Sequence, residues 1–174
     1  MTCRHNRVKL LLALLTCLLS LMGCSSIRDR LTSKDSKMIK QESSEIIRCL
    51  TENDKESFCA LFCERIRTKK TFNKEVDAAF DFFDCDTYID AQIQEMAGGE
   101  SSIEKGERTK WYLSPEITYI KVLQNKNNDY VDRYYGVHYY WGITDEEHKD
   151  LEGLHYLEIT LLNTERSVSI GIDK

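Results

Sequence analysis

The stretch YYGVHYYWG, Tyr134–Gly142, decides how this chain folds. Its residues alternate between two sides, as successive residues of a strand do. With its neighbours, one side carries Arg133, Tyr135, Val137, Tyr139, Trp141 and Ile143. The other carries Asp132, Tyr134, Gly136, His138, Tyr140 and Gly142. Val137, Trp141 and Ile143 assign the first set to a core and the second to an outer face. A long strand over Tyr130–Ile143 is therefore predicted, bent or bulged at its glycines.

Working outward, the same period recurs. Leu157, Ile159 and Leu161 alternate against Tyr156, Glu158 and Thr160, giving a strand over Leu154–Leu162. Thr109–Gln124 is rich in β-formers and carries the chain's single proline, Pro115, which cannot donate to a ladder and marks a bulge or break. In Thr87–Met96, Ile89, Ala91 and Ile93 alternate against Asp90, Gln92 and Gln94. A short last strand fits Ser167–Ile172. The segment AGGESSIEKGER, with its glycines and charges, reads as a loop. NKNND at Asn125–Asp129 reads as a turn, and TDEEHKDLEG at Thr144–Gly153 as a polar connection.

Upstream the period becomes helical. Met38, Ile39, Ile46, Cys49 and Leu50 share one side of a first helix. Asn53-Asp54-Lys55-Glu56 resembles a capping box opening a second, with Phe58, Cys59, Leu61, Phe62 and Ile66 on one stripe. Arg65, Arg67, Lys69 and Lys70 close it, favourably placed against a helix C-terminus. In the third, Phe72, Val76, Ala79, Phe80 and Phe83 fall within about 100° of arc, while Asp77 and Asp81 face away. The fold class expected is α+β: three N-terminal helices packed on a curved antiparallel sheet of four to five strands.

The N-terminus has a different character. Arg4, Arg7 and Lys9 precede the apolar run LLLALLTCLLSLMGC, Leu10–Cys24. That run is shorter than the ~20 residues of a membrane span and has the make-up of a secretory signal. Leu21-Met22-Gly23-Cys24 resembles the lipobox of bacterial lipoproteins. The resemblance implies diacylglyceryl transfer to the Cys24 thiol, acylation with palmitate-like chains, and cleavage between Gly23 and Cys24. Two acyl chains give stable attachment where one does not. The expected organisation is a signal peptide at 1–23, a lipidated Cys24 with a flexible tether at 24–36, and one domain at 37–174. Loss of Arg4, Arg7 and Lys9 takes the net charge from −5 to −8. A body this acidic has no footprint for nucleic acid and would be repelled by an anionic bilayer.

Cys3 and Cys17 leave with the signal, and Cys49, Cys59, Cys63 and Cys85 remain beside Cys24. Outside the cytoplasm an even count suggests disulfides. Cys59 and Cys63, four apart on one helix, would hold their Cβ atoms about 5–6 Å apart, too far for a disulfide. Cys49–Cys59 or Cys63–Cys85 stay open, as do four buried free thiols. Metal binding has no support in CxxC spacing or a neighbouring His.

The motifs CALFCERI, VDAAFDFFDCD, GGESSIE and SIGID resemble a family of uncharacterised Gram-positive lipoproteins. That family is a domain of unknown function within the nuclear transport factor 2-like (ketosteroid-isomerase-like) superfamily. The resemblance covers about Met38–Asp173. It implies a cone of the nuclear transport factor 2-like or cystatin-like kind, a bent sheet wrapped around helices with a cavity between. It carries no catalytic residues.

The candidate pocket is drawn from the strand face predicted to point inward. Tyr139, Trp141 and Tyr135 would line it with polar handles on an apolar wall, and Asp90 would be its carboxylate. Proton transfer would need Asp86 or Asp90 beside Tyr139. His138 is expected on the outer face, His148 in a loop and His155 at a strand start. GxSxG, HExxH, P-loop and dinucleotide fingerprints do not occur. Neither a catalytic set nor a cofactor is expected. The sequence points to a lipid-anchored extracytoplasmic protein, held to the membrane through Cys24, that binds a small ligand or an envelope protein. The alternatives are an enzyme of ketosteroid-isomerase or dehydratase type and a structural envelope protein associating with copies of itself.

Overall fold

In a computed structural model of the chain the described residues are 33–171, apart from 96, 127 and 128. The signal peptide, lipobox, Cys24 and most of the tether lie outside them. The chain divides into two compact units, Met1–Lys37 and Met38–Lys174. Helix α1 is described over residues 33–51, so residues 33–36, within the expected tether, are helical. None of the described helices is long and apolar enough to cross a membrane.

Within the second unit, α1 buries Ile39, Ser43, Ile46, Ile47 and Leu50. These fall at the i, i+4, i+7, i+8 spacing of one helical face. Its outer face is laced by Arg48, which pairs with Glu45 at 2.7 Å, Glu52 at 2.8 Å and Asp54 at 3.0 Å. Such exposed pairs add little stability. Asp54 caps α2, Lys55–Leu61, by accepting the Ser57 N–H at 3.0 Å. The cap is therefore Asp54 rather than Asn53, whose φ of 56° places it in the turn.

The second helix expected from the sequence breaks in two. After Leu61 the backbone extends at Phe62, which forms a parallel bridge with Leu154, and Cys63 N donates to Leu154 O at 3.0 Å. Helix resumes as α3, Glu64–Arg67. Gly153 makes the approach feasible. Its φ is +121°, and a Cβ there would lie 2.8 Å from Cys63 N and 2.9 Å from Leu61 O. Cys59 and Cys63 are consequently not on one helix. The last helix, α4, spans Phe72–Phe82 and buries Phe72, Val76, Ala79 and Phe80, as its pattern predicts. Phe58, Phe62, Phe72 and Phe80 meet edge-on at 5.1–5.5 Å, binding α2, α4 and the break into one cluster.

Seven strands follow: β1 (Thr87–Ile93), β2 (Gly98–Glu104), β3 (Glu107–Ser114), β4 (Glu116–Lys126), β5 (Asp129–Asp145), β6 (Gly153–Leu161) and β7 (Ser167–Ile170). All belong to one sheet and every named pair is antiparallel. β5, 17 residues long, is its spine. One edge of β5 pairs with β4 over its first part and β3 over its last; the other edge pairs with β6. β1 flanks β4, β2 flanks β3, and β7 flanks β6.

This corrects the expected fold class. The protein is mostly a seven-stranded antiparallel sheet carrying one cluster of helices, not three helices on four or five strands. Two features of the sequence account for the miscount. Pro115 has no N–H, so it splits one rail into β3 and β4. GGESSIE, expected as a loop, is strand β2, with all seven residues exposed. A strand with neither face buried shows no alternation, and its charges suit an edge. At Ile89 the predicted alternation also slips. A register shift falls between Tyr88 and Asp90, and Ile89 is exposed, while Ala91 and Ile93 pack on the core.

Candidate functional site

The two faces of β5 have different fates. On the helix side, Tyr139 is wholly buried. Its hydroxyl lies 2.6 Å from Ser43 Oγ and donates to Ile39 O at 3.4 Å. Tyr135 is buried too, donating to Phe82 O and accepting from Asp84 N, both at 3.3 Å. Trp141 is half-buried and meets the Tyr139 ring edge-on at 6.4 Å. The inward face is thus the predicted one, with its phenols anchored to α1 and to the end of α4. Asp90 does not join them. It is exposed on β1, with the Tyr119 hydroxyl 3.5 Å away. Asp86 is exposed as well and accepts the Asn125 N–H at 2.6 Å.

The carboxylate whose charge bears on Tyr139 is that of Glu42, which no motif in the sequence singles out. Glu42 is half-buried on α1, next to Ser43. Burial, helped by the neighbouring Glu45 carboxylate, pushes its pKa up to about 7. Burial also raises the Tyr139 phenol far above its usual range.

The other face of β5 builds an open cavity of about 630 Å³. Its walls carry Tyr112 from β3, Tyr140 from β5, and His155 and Tyr156 from β6, with Arg65 and Lys110 among the charged groups. The register sets Tyr140 opposite Tyr156 and Tyr112 opposite Gly142. A shift between Tyr140 and Trp141 leaves His155 as the extra residue of a bulge, a common means of re-aiming a side chain. Tyr112 and Tyr140 stack in parallel with centroids 5.5 Å apart. The His155 ring stands edge-on to both, at 5.5 and 5.6 Å.

The segment after β5 closes one side. Asp145 is 3% exposed, bonded by the Tyr112 hydroxyl, and accepts the Glu147 and His148 N–H groups at 3.1 and 3.0 Å. These bonds hold its carboxyl below the usual range, the Tyr112 bond foremost. The chain then forms a 3-10 turn, Lys149–Leu151. Gly142 permits this approach, for a Cβ on it would sit 2.4 Å from Leu151 O. His155 Nε2 lies 2.5 Å from the same carbonyl. A carbonyl only accepts, so Nε2 carries the proton and Nδ1 is left as an acceptor in the neutral ring. Burial lowers the His155 pKa and favours that neutral form.

Cations rim the cavity. Lys110 pairs with Glu147 at 2.5 Å and Arg65 with Asp150 at 3.4 Å. The volume falls within the roughly 300–1,000 Å³ of small-molecule sites. The sequence signal for it was present in Tyr140 and Tyr156, both on strand faces assigned outward, while Tyr112 carried no assigned face. What was missing was the segment that folds over that face.

Cys49, Cys59, Cys63 and Cys85 are free thiols. Burial raises the pKa of each, that of Cys49 to about 11. Among the described residues no group of His, Cys, Asp and Glu is placed to hold a metal ion. His138 is exposed, its Nε2 3.0 Å from Ser114 Oγ.

No curated protein matches the chain. Residues 45–165, from the middle of α1 to the turn after β6 and including all four aromatic walls of the cavity, match the family described as Domain of unknown function (DUF5104), and the chain belongs to that family.

Proposed function

We propose that this is a lipid-anchored extracytoplasmic protein whose domain binds a small ligand in the cavity under the β5–β6 connection. The observation that carries the reading is the aromatic wall of Tyr112, Tyr140, His155 and Tyr156, half-open to solvent and rimmed by Arg65 and Lys110. Stacked and edge-on rings offer flat apolar area at low entropic cost, and the rim supplies orienting charge. A ligand with a planar apolar part and one polar end fits that chemistry. The anchor rests on sequence: the basic start, the short apolar run and Leu21-Met22-Gly23-Cys24. Attachment through Cys24 would hold an acidic body at a surface that its own charge does not favour.

The test is native mass spectrometry of the full chain purified from its own host in mild detergent. A bound small molecule should accompany the wild-type protein and be lost from Tyr140→Ala, whose ring is only half-buried, with the melting temperature little changed. Equal retention of that molecule by Tyr140→Ala would refute the site.

A further inference from the structure

At the opposite end of β5 lies a second, smaller cavity of about 160 Å³. It is well below the roughly 300–1,000 Å³ of ordinary small-molecule pockets. It sits where the end of α4, the last residues of β4, the first part of β5 and the β6–β7 turn come together. Its lining includes the cations Lys126, Arg133 and Arg166, and only Asp81 and Asp84 carry negative charge there.

The three cations share one cavity and differ in pairing from six other cations of the described residues. Arg48, Lys55, Arg65, Lys110, Lys121 and Lys149 each have a carboxylate within 3.4 Å. Among the described residues, Lys126, Arg133 and Arg166 have none within ion-pair distance. In a chain with 29 acidic and 24 basic residues, three cations around one small cavity without an ion-pair partner call for an anion.

The guanidinium groups are also oriented. Arg133 Nε donates to Gln124 Oε1 at 3.1 Å, and Gln124 is 9% exposed, so this partner is itself held by packing. That bond uses one edge of the guanidinium and leaves its terminal nitrogens to bond elsewhere. Arg166 lies over the Phe82 ring at 5.5 Å. The Phe82 carbonyl is fixed in turn by the Tyr135 hydroxyl. Two oriented guanidinium groups and an ammonium suit a tetrahedral oxyanion, to which Arg presents paired N–H groups.

We propose that Arg133, Arg166 and Lys126 form a binding site for a phosphate-type oxyanion, separate from the aromatic cavity and independent of what that cavity binds. The same chemistry would accept free phosphate or the phosphodiester of a lipid headgroup.

Calorimetric titration of the full chain in detergent at low ionic strength, with inorganic phosphate and with glycerophosphoglycerol, tests the site. Saturable binding of at least one probe is expected. Arg133→Gln combined with Arg166→Gln should weaken it by about tenfold or more, the scale of a lost charge-assisted hydrogen bond. Arg166→Gln alone, at an exposed position, should weaken it in the same direction with the melting temperature kept. Binding of phosphate alone assigns a free dianion, binding of the diester a lipid headgroup, and either supports the site. No saturable binding of either probe, or equal binding by the folded double variant, overturns it.

Discussion

Tyr139 Oη and Ser43 Oγ lie 2.6 Å apart, joining the spine of the sheet to the first helix across 96 positions of sequence. Both residues are fully buried. Neither hydroxyl can turn to water if its partner is removed, so the pair fixes how α1 lies on the sheet. Tyr139→Phe should lower stability by about 1–2 kcal/mol, the scale of a buried hydrogen bond. Tyr139→Ala should lower it by about 3–5 kcal/mol through the cavity left behind. Urea unfolding of the two variants, with Ser43→Ala to close a double-mutant cycle, measures both. Additive effects of Tyr139→Phe and Ser43→Ala would show that the pair is not coupled.

Glu42 gives the domain a pH dependence of unusual sign. Its folded pKa is near 7, above the ordinary glutamate value of about 4.3. Between those values the folded state holds a proton that the unfolded chain has released, so stability falls as pH rises through the window. Carboxylates with lowered pKa, such as Asp54 at about 2 and Asp145, act in the opposite direction and at lower pH. Glu42→Gln should therefore gain stability over wild type as pH is raised from 5 to 8, by thermal unfolding in matched buffers. A difference that does not vary with pH would count against the buried, protonated carboxyl.

The roof of the aromatic cavity depends on Gly142. Gly142→Ala places a methyl 2.4 Å from Leu151 O and 2.9 Å from His155 Nε2. The connection after β5 must move, and backbone that lies so close cannot yield cheaply. Faster amide exchange is expected at 146–152 before the rest of the sheet. Unchanged protection of that segment would mean that the roof does not rest on Gly142.

The thiols should be slow to react. Cys49 and Cys63 are buried, and burial raises the pKa of all four. Only the thiolate attacks an alkylating agent. Iodoacetamide at neutral pH should label the folded protein far more slowly than the urea-unfolded one. Equal rates in the two states would contradict the packing around the four sulfurs.

Attachment through Cys24 is tested apart from the fold. Cys24→Ala should move the protein out of the lipid-modified pool, read by metabolic labelling with a palmitate analogue. Label retained at wild-type level would place the acyl chains elsewhere.

Local pattern carried much of this architecture. The stripe from Phe72 to Phe83 declared α4, and the alternation from Tyr130 to Ile143 declared β5 and which of its faces is buried. Both are periodicities of one segment against one core, visible without knowing the partner. Gly98–Glu104 could not be read this way. An exposed edge strand owes its conformation to the backbone of β3, and hydrogen bonds to a neighbouring strand leave no mark on side-chain polarity. The break at Phe62 was hidden for a similar reason, since its cause is the approach of Leu154 and Gly153, about 90 residues along the chain.

The amino-acid sequence by itself determined the helical stripes, the long aromatic strand, the inward burial of Tyr135 and Tyr139, and the acidic charge. Periodicity, composition and charge are properties of the chain alone. Tertiary structure decided that seven strands form one sheet, that the charge of Glu42 rather than Asp90 bears on Tyr139, and that Tyr112, Tyr140, His155 and Tyr156 share a wall. It also decided that Arg133 and Arg166 share a cavity. Those relationships join segments distant in sequence, and they exist only once strand register and the fold of the β5–β6 connection bring the side chains within a few ångströms of each other.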